Sequence, residues 1–166
     1  MGAFVKLLDF LLFIYFLFIA IVAPFFDGQA ALPKHMFPPV FVDLKSWYTQ
    51  EYGDYLVSEK PHFFVGLIWL ELLFAWPLSV ITLTAIATGK SWVNTACLIY
   101  GVSTLTAMVA ILSEMVGSQR ASDKLLMCYY PFLGFAVLAI LRGLIPHSGK
   151  TVSIGKRSAT SRKKRA

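Results

Sequence analysis

Charge is scarce in this sequence. Only 14% of its 166 residues are Asp, Glu, Lys or Arg, against roughly a quarter in a typical soluble domain. With 57% of the residues hydrophobic, a fold surrounded by water on all sides is excluded. Cysteine is scarce too: Cys97 and Cys128 lie in apolar runs expected to enter from opposite membrane faces, so they read as small buried hydrophobes and not as a disulfide. The three histidines, His35, His62 and His147, show no ligand spacing, which gives no metal site. Neither a Gly-rich phosphate loop nor a Ser/His/Asp arrangement occurs, so no cofactor and no nucleophilic catalysis are expected. Residues 148–166 contain no acid at all.

What the chain does have is four long apolar runs. Residues 7–32 form the first, interrupted by Asp27 and Gln29, and residues 63–88 the second, interrupted by Glu71. Residues 91–112 and 125–141 form the third and fourth. About 20 apolar residues cross roughly 30 Å of hydrocarbon as a helix, and within lipid the backbone must satisfy its own hydrogen bonds, which selects helices over open strands. The expected fold is all-α: a polytopic bundle of four transmembrane helices in one domain, residues 1–147, followed by a basic tail, 148–166. The first run is too long for a secretory signal, and Pro24 follows the small-residue cleavage candidate Ala23, so this segment is expected to stay as an anchor. Lys6 at the sixth position argues against myristoylation.

The positive charges orient the bundle. Lys6, Lys90 and the eight Lys and Arg residues from Arg142 onward fall on one side, against Lys34, Lys45, Lys60, Arg120 and Lys124 on the other. That split of ten to five places both termini in the cytosol. The run Arg162, Lys163, Lys164, Arg165 has no folded nucleic-acid reader beside it, so its expected partners are anionic membrane lipids or coat machinery and not nucleic acid. Lys163 and Lys164 resemble the dilysine signal that returns membrane proteins to the endoplasmic reticulum, the expected location.

Residues 33–61 then form a luminal connection. Placed on a helix, Leu44, Trp47, Tyr48 and Tyr55 share one face and Asp43, Gln50 and Asp54 another. Such an amphipathic piece serves either as an aromatic belt at headgroup depth or as a lid over a pocket.

Ionisable groups inside a span are costly, and each is a site hypothesis. At 1.5 Å per residue, Glu71 lies roughly 12 Å and Asp27 roughly 8 Å below the same luminal surface. Two carboxylates in one dry cavity cannot both ionise cheaply, so the pair is expected to share a proton. Such a site suits a protonated amine on an apolar body, or a sterol hydroxyl; the plainer alternative is a helix cap at Asp27 and an interhelical bond at Glu71. Pro77 and Pro131 are expected to kink their spans. Thr104 and Thr106 read as packing residues, and Glu114 as an exposed helix-end acid.

Three blocks carry a resemblance. Phe26-Asp27-Gly28-Gln29-Ala30-Ala31-Leu32-Pro33, Trp47-Tyr48-Thr49-Gln50-Glu51-Tyr52-Gly53-Asp54 and Glu71-Leu72-Leu73-Phe74-Ala75-Trp76-Pro77 resemble the EXPERA family, the group that holds the sigma-2 receptors and emopamil-binding protein. Leu98-Ile99-Tyr100, Ile111-Leu112-Ser113 and Pro131 extend the likeness over nearly the whole chain. The resemblance implies a membrane bundle of the endoplasmic reticulum, often a homodimer, with a ligand cavity linked to sterol handling. It implies that Asp27 pairs with a ligand amine, that Glu71 supports it, and that Trp47, Tyr48, Asp54, Tyr100, Thr104 and Phe132 line the pocket. Phe132 and Ala107 depart from an expected Tyr and Thr.

The expected function is a non-enzymatic, sigma-2 receptor-like binding protein for sterols or cationic amphiphiles that regulates sterol homeostasis or trafficking. The alternative is a sterol double bond isomerase, which by the same resemblance would carry a His one turn before Glu71, where this chain has Leu67. A third reading, an assembly partner for other membrane proteins, needs no pocket.

Overall fold

The computed structural model describes residues 2–145, so His147 and the basic tail with Lys163 and Lys164 lie outside the described residues. In chain order the helices are α1 (Gly2–Ala31), α2 (Pro39–Tyr52), α3 (Tyr55–Glu59), α4 (His62–Thr88), α5 (Val93–Gly117) and α6 (Asp123–Leu144). Among the described residues, α1, α4, α5 and α6 are the four helices long and apolar enough to cross a membrane, and together they form a four-helix membrane bundle. Their outward faces are apolar: Leu73 and Met127 are each 72% exposed and Phe10 60%. Water would make such a surface a liability, whereas lipid makes it the solvated face.

The helix ends follow from local chemistry. Ser122 caps α6 by accepting the Leu125 N–H at 3.1 Å, with Asp123 in the first turn. Gly89, at φ 62°, ends α4. There its N–H reaches the Ile86 carbonyl while the Lys90 N–H reaches that of Ala85, the paired bonds of a Schellman stop. The third and fourth spans outrun the expected 91–112 and 125–141. Glu114 is exposed and continues α5 beyond the apolar run without penalty, and Arg142 in α6 is neutralised inside the bundle. The connection between the first two spans differs from one continuous helix: Gly53, at φ 63°, breaks it, so Tyr55 begins a new helix and leaves the face that Leu44 and Tyr48 share.

The closest packing joins α5 to α6, and glycine permits it. A Cβ on Gly101 would stand 2.8 Å from the Ala136 carbonyl and the Ile140 amide nitrogen, and one on Gly143 would stand 2.7 Å from Leu98. Leu12, Tyr15, Phe16 and Ile19 of α1 pack with Ala85, Cys97, Tyr100 and Ala139 in one core. A second core gathers Leu56, Phe64, Ile68, Ile111, Leu112 and Leu125 under the connection between α1 and α4.

Gly101→Ala should lower stability by about 1–3 kcal/mol, because backbone and not a flexible side chain blocks the new methyl. Gly66→Ala, which meets nothing within 4 Å, should be neutral or mildly stabilising. Thermal unfolding of the two variants in detergent micelles separates them; equal melting temperatures would contradict the close α5–α6 approach.

Candidate functional site

Each of the first two spans contains one wide turn, and an acid sits in each. In α1 the residues Ala23–Asp27 form a π-helical turn, closed by the Gly28 N–H on the Ala23 carbonyl. In α4 the residues Glu71–Ala75 form another, closed by the Trp76 N–H on the Glu71 carbonyl. Proline accounts for the disturbance in both: Pro24 lies inside the first turn and Pro77 follows the second after Trp76, and neither ring nitrogen can donate. The Ala20 carbonyl, four residues before Pro24, would be left without its helical donor. Trp76 Nε1 of the neighbouring span fills it at 3.0 Å.

Side chains satisfy the carbonyls that follow. Gln29 Nε2 donates to the Phe25 carbonyl at 2.7 Å and Lys45 Nζ to that of Phe26 at 2.7 Å. Lys60 Nζ caps the Gln29 carbonyl at 3.0 Å. These cations at the C-terminal end of α1 also suit its macrodipole.

Asp27 and Glu71 face one chamber of about 430 Å³. Its walls are apolar, with Phe18, Val22, Leu44, Phe64, Ile68 and Phe132 among them. Asp54 is the third acid on the wall, and it is fully buried. Its Oδ1 accepts the Val57 N–H at 3.1 Å as the cap of α3, and its Oδ2 accepts the Tyr129 hydroxyl at 2.8 Å and the Tyr48 hydroxyl at 3.2 Å. Burial first, and then the Asp54 charge, push the Tyr48 phenol far above its ordinary range, so it stays a donor. Asp54 is therefore a clasp joining α2, α3 and α6. By contrast, no hydrogen bond from another described residue holds Asp27 or Glu71. Glu71 also borders a small crevice between α4 and α5 together with Leu67 and Thr104.

An apolar chamber with two carboxyl groups that no described residue hydrogen-bonds has the chemistry to receive a donor. Uncompensated buried carboxylate costs several kcal/mol, so the site must take up a proton, a cation or a hydroxyl donor. Lys, Arg and His are missing from the chamber lining.

The sequence profile of EXPERA, the EXPanded EBP superfamily, matches residues 40–143. The chain belongs to the EXPERA family. Proteins named Sigma intracellular receptor 2 are similar to it: that of Macaca fascicularis is 37% identical over 112 residues and that of Homo sapiens 36% over 112 residues. Both alignments cover 67% of this chain and 64% of the relative's length, so just under two thirds of each relative is matched. The protein of that name from Xenopus tropicalis is 26% identical over 149 residues, covering 82% of this chain and 87% of its own.

Five of the residues singled out in this EXPERA chain, Asp27, Tyr48, Asp54, Glu71 and Phe132, line the chamber together. Three do not. Trp47, 55% exposed, turns outward against the edge of Tyr52, because one residue along α2 from Tyr48 is about 100° of rotation. Tyr100 is buried in the core, its hydroxyl 3.1 Å from that of Tyr15, and Thr104 lies along the crevice beside Glu71. Thr106 bonds its own helix at the Val102 carbonyl.

Tyr129 and a whole second cluster escaped sequence reasoning. Asp27 is not the sole acid of the first span: Asp9 meets Arg142 of α6, which is 4% exposed, in a two-pronged ion pair. Arg142 Nη1 also donates to Asn94 at 2.7 Å, and Asn94 in turn donates to the Ile145 carbonyl. The trace in the sequence is an acid inside the first apolar run and a base one residue beyond the fourth. Composition groups Arg142 with the basic residues that follow it.

Asp9→Leu alone should destabilise by about 3–5 kcal/mol, since it strands a buried guanidinium. Asp9→Leu combined with Arg142→Met should recover most of that loss. Denaturant unfolding of the two variants in mixed micelles tests this, and a double variant as unstable as the single would show that the pair is no unit.

Proposed function

We propose that this EXPERA protein is a receptor, not a catalyst, for an apolar molecule carrying a protonated amine or a hydroxyl. The observation that carries the reading is the pair Asp27 and Glu71, two carboxyl groups facing one apolar chamber without a donor from the described protein. A cationic amphiphile would place its ammonium on Asp27, with Glu71 completing the hydrogen bonding and the aromatic and aliphatic walls covering the rest. Burial of the apolar body supplies most of the affinity, at about 25 cal/mol per Å², and the ion pair supplies selection. A sterol would use the same walls and offer its hydroxyl to one carboxyl group.

Similarity to proteins named Sigma intracellular receptor 2 supports the receptor reading. The physiological role that follows is sensing or trafficking of sterols in the endoplasmic reticulum membrane, with both termini cytosolic. Coat machinery would engage Lys163 and Lys164, and a second copy of the chain could pair through the apolar exterior. Sterol double bond isomerisation is the second reading, favoured by membership of the EXPanded EBP superfamily and by two acids able to relay a proton. Against it stand Leu67 in place of the expected His and a chamber lined by no imidazole.

Purified wild type should bind a radiolabelled cationic amphiphile saturably. Asp27→Asn should weaken this at least about a hundredfold, as expected for loss of a desolvated charge partner, and Glu71→Gln about tenfold. Equal affinity in both variants would remove the site assignment, and sterol turnover by the wild type would move the reading to the isomerase.

A further inference from the structure

A second pocket lies on the other side of α2 from the chamber. It has a volume of about 320 Å³ and is lined by Gln29, Lys34, Lys45, Ser46, Thr49, Gln50, Val57, Ser58 and Lys60. The division follows from helical rotation: Leu44 and Tyr48 face the chamber, and the next residue after each, Lys45 and Thr49, faces this pocket. Val57 is the wall common to both. Three lysines and no acid line the space, so its charge is of one sign.

These lysines do more than cap α1. An ammonium carries three donors, and Lys45 and Lys60 each give one to a carbonyl of α1, which leaves donors on both for another acceptor. Lys34 is exposed, and its ammonium donates to no other described residue, so it adds its full set. Lys60 also stands at φ 52°, closing α3 in the left-handed region where glycine would sit without strain. Keeping a lysine there trades backbone comfort for a side chain aimed at the pocket. Burial pushes the Lys45 ammonium down to about 8, with Asp27 pulling it up and Lys60 pushing it further down. A cluster of like charges in a concave, partly desolvated space gains most from an anion.

We propose that this pocket binds a phosphate-type oxyanion, held by the ammonium groups of Lys45, Lys60 and Lys34 with Ser46 and Gln50 at its rim. The group could be the headgroup of an anionic lipid or a free phosphate, since both offer the same oxygens. The proposal does not rest on the amine-binding reading of the chamber: none of these lysines lines that chamber, and Asp27 acts on Lys45 through charge alone.

The test uses the full chain. In one arm, inorganic phosphate is titrated into protein in detergent micelles at constant ionic strength. In the other, nanodiscs of phosphatidylcholine with and without phosphatidic acid are compared for lipid retained in native mass spectra. Saturable binding is expected in at least one arm: response to inorganic phosphate assigns a soluble anion, and response to phosphatidic acid alone assigns a headgroup. Lys45→Gln and Lys60→Gly should each weaken it about tenfold or more, whereas Lys124→Gln, which removes a lysine paired with Glu51 outside the pocket, should leave it unchanged. Lys60→Gly relieves the left-handed strain, so with its helicity checked by circular dichroism it decides the matter even if Lys45→Gln unfolds. Absence of saturable binding in both arms, or wild-type affinity in folded Lys60→Gly, would overturn the proposal.

Discussion

Inside hydrocarbon a peptide N–H has nowhere to turn except a carbonyl of its own helix, and a carbonyl left over must be met by a neighbour. Pro24 and Pro77 break that rule at one place in each of the first two spans, and much of the site follows from how the breaks are mended. The ladder resumes one residue later as a π turn. That offset rotates everything beyond it by about 100° relative to an unbroken helix. Trp76 crosses to the Ala20 carbonyl and so ties the two disturbed spans together. Gln29, Lys45 and Lys60 take carbonyls near the C-terminal end of the first span, which fixes the connection between α1 and α4 over the same region.

Four acids show how differently one functional group is used when its surroundings differ. Asp54 is satisfied three times over by an amide and two phenols, and its charge is spent on holding α2 and α3 to α6. Asp9 is satisfied by a guanidinium and holds the opposite end of the bundle. The carboxyl groups of Asp27 and Glu71 accept no hydrogen bond from another described residue and share a chamber with greasy walls. The first two make a rigid frame, and the second two are what the frame presents.

The four spans, the paired acids and the family were legible in the sequence because they rest on run length, on rare charges within apolar stretches, and on ordered blocks such as Glu71 to Pro77. Span ends were less so. Arg142 reads as solvated tail until Asp9 is seen to neutralise it, and that pairing joins residues 133 apart in the chain. The outward turn of Trp47 and the break at Gly53 depend on where α2 starts and stops, which composition does not specify. Tyr100 shows the limit of resemblance: its position is near the site, yet a hydroxyl partner on Tyr15 draws it into the core. The π turns left only Pro24 and Pro77 as a trace, and a proline alone does not say whether a helix kinks, widens or ends.

The ion pair of Asp9 with Arg142 joins the first span to the fourth. During synthesis the first span enters the membrane long before the residue that neutralises it has been made, so its acid must wait, hydrated or sheltered by the insertion machinery. Closure of the bundle is thereby tied to completion of the last span, and a chain truncated before Arg142 would carry an unanswered charge at the membrane edge.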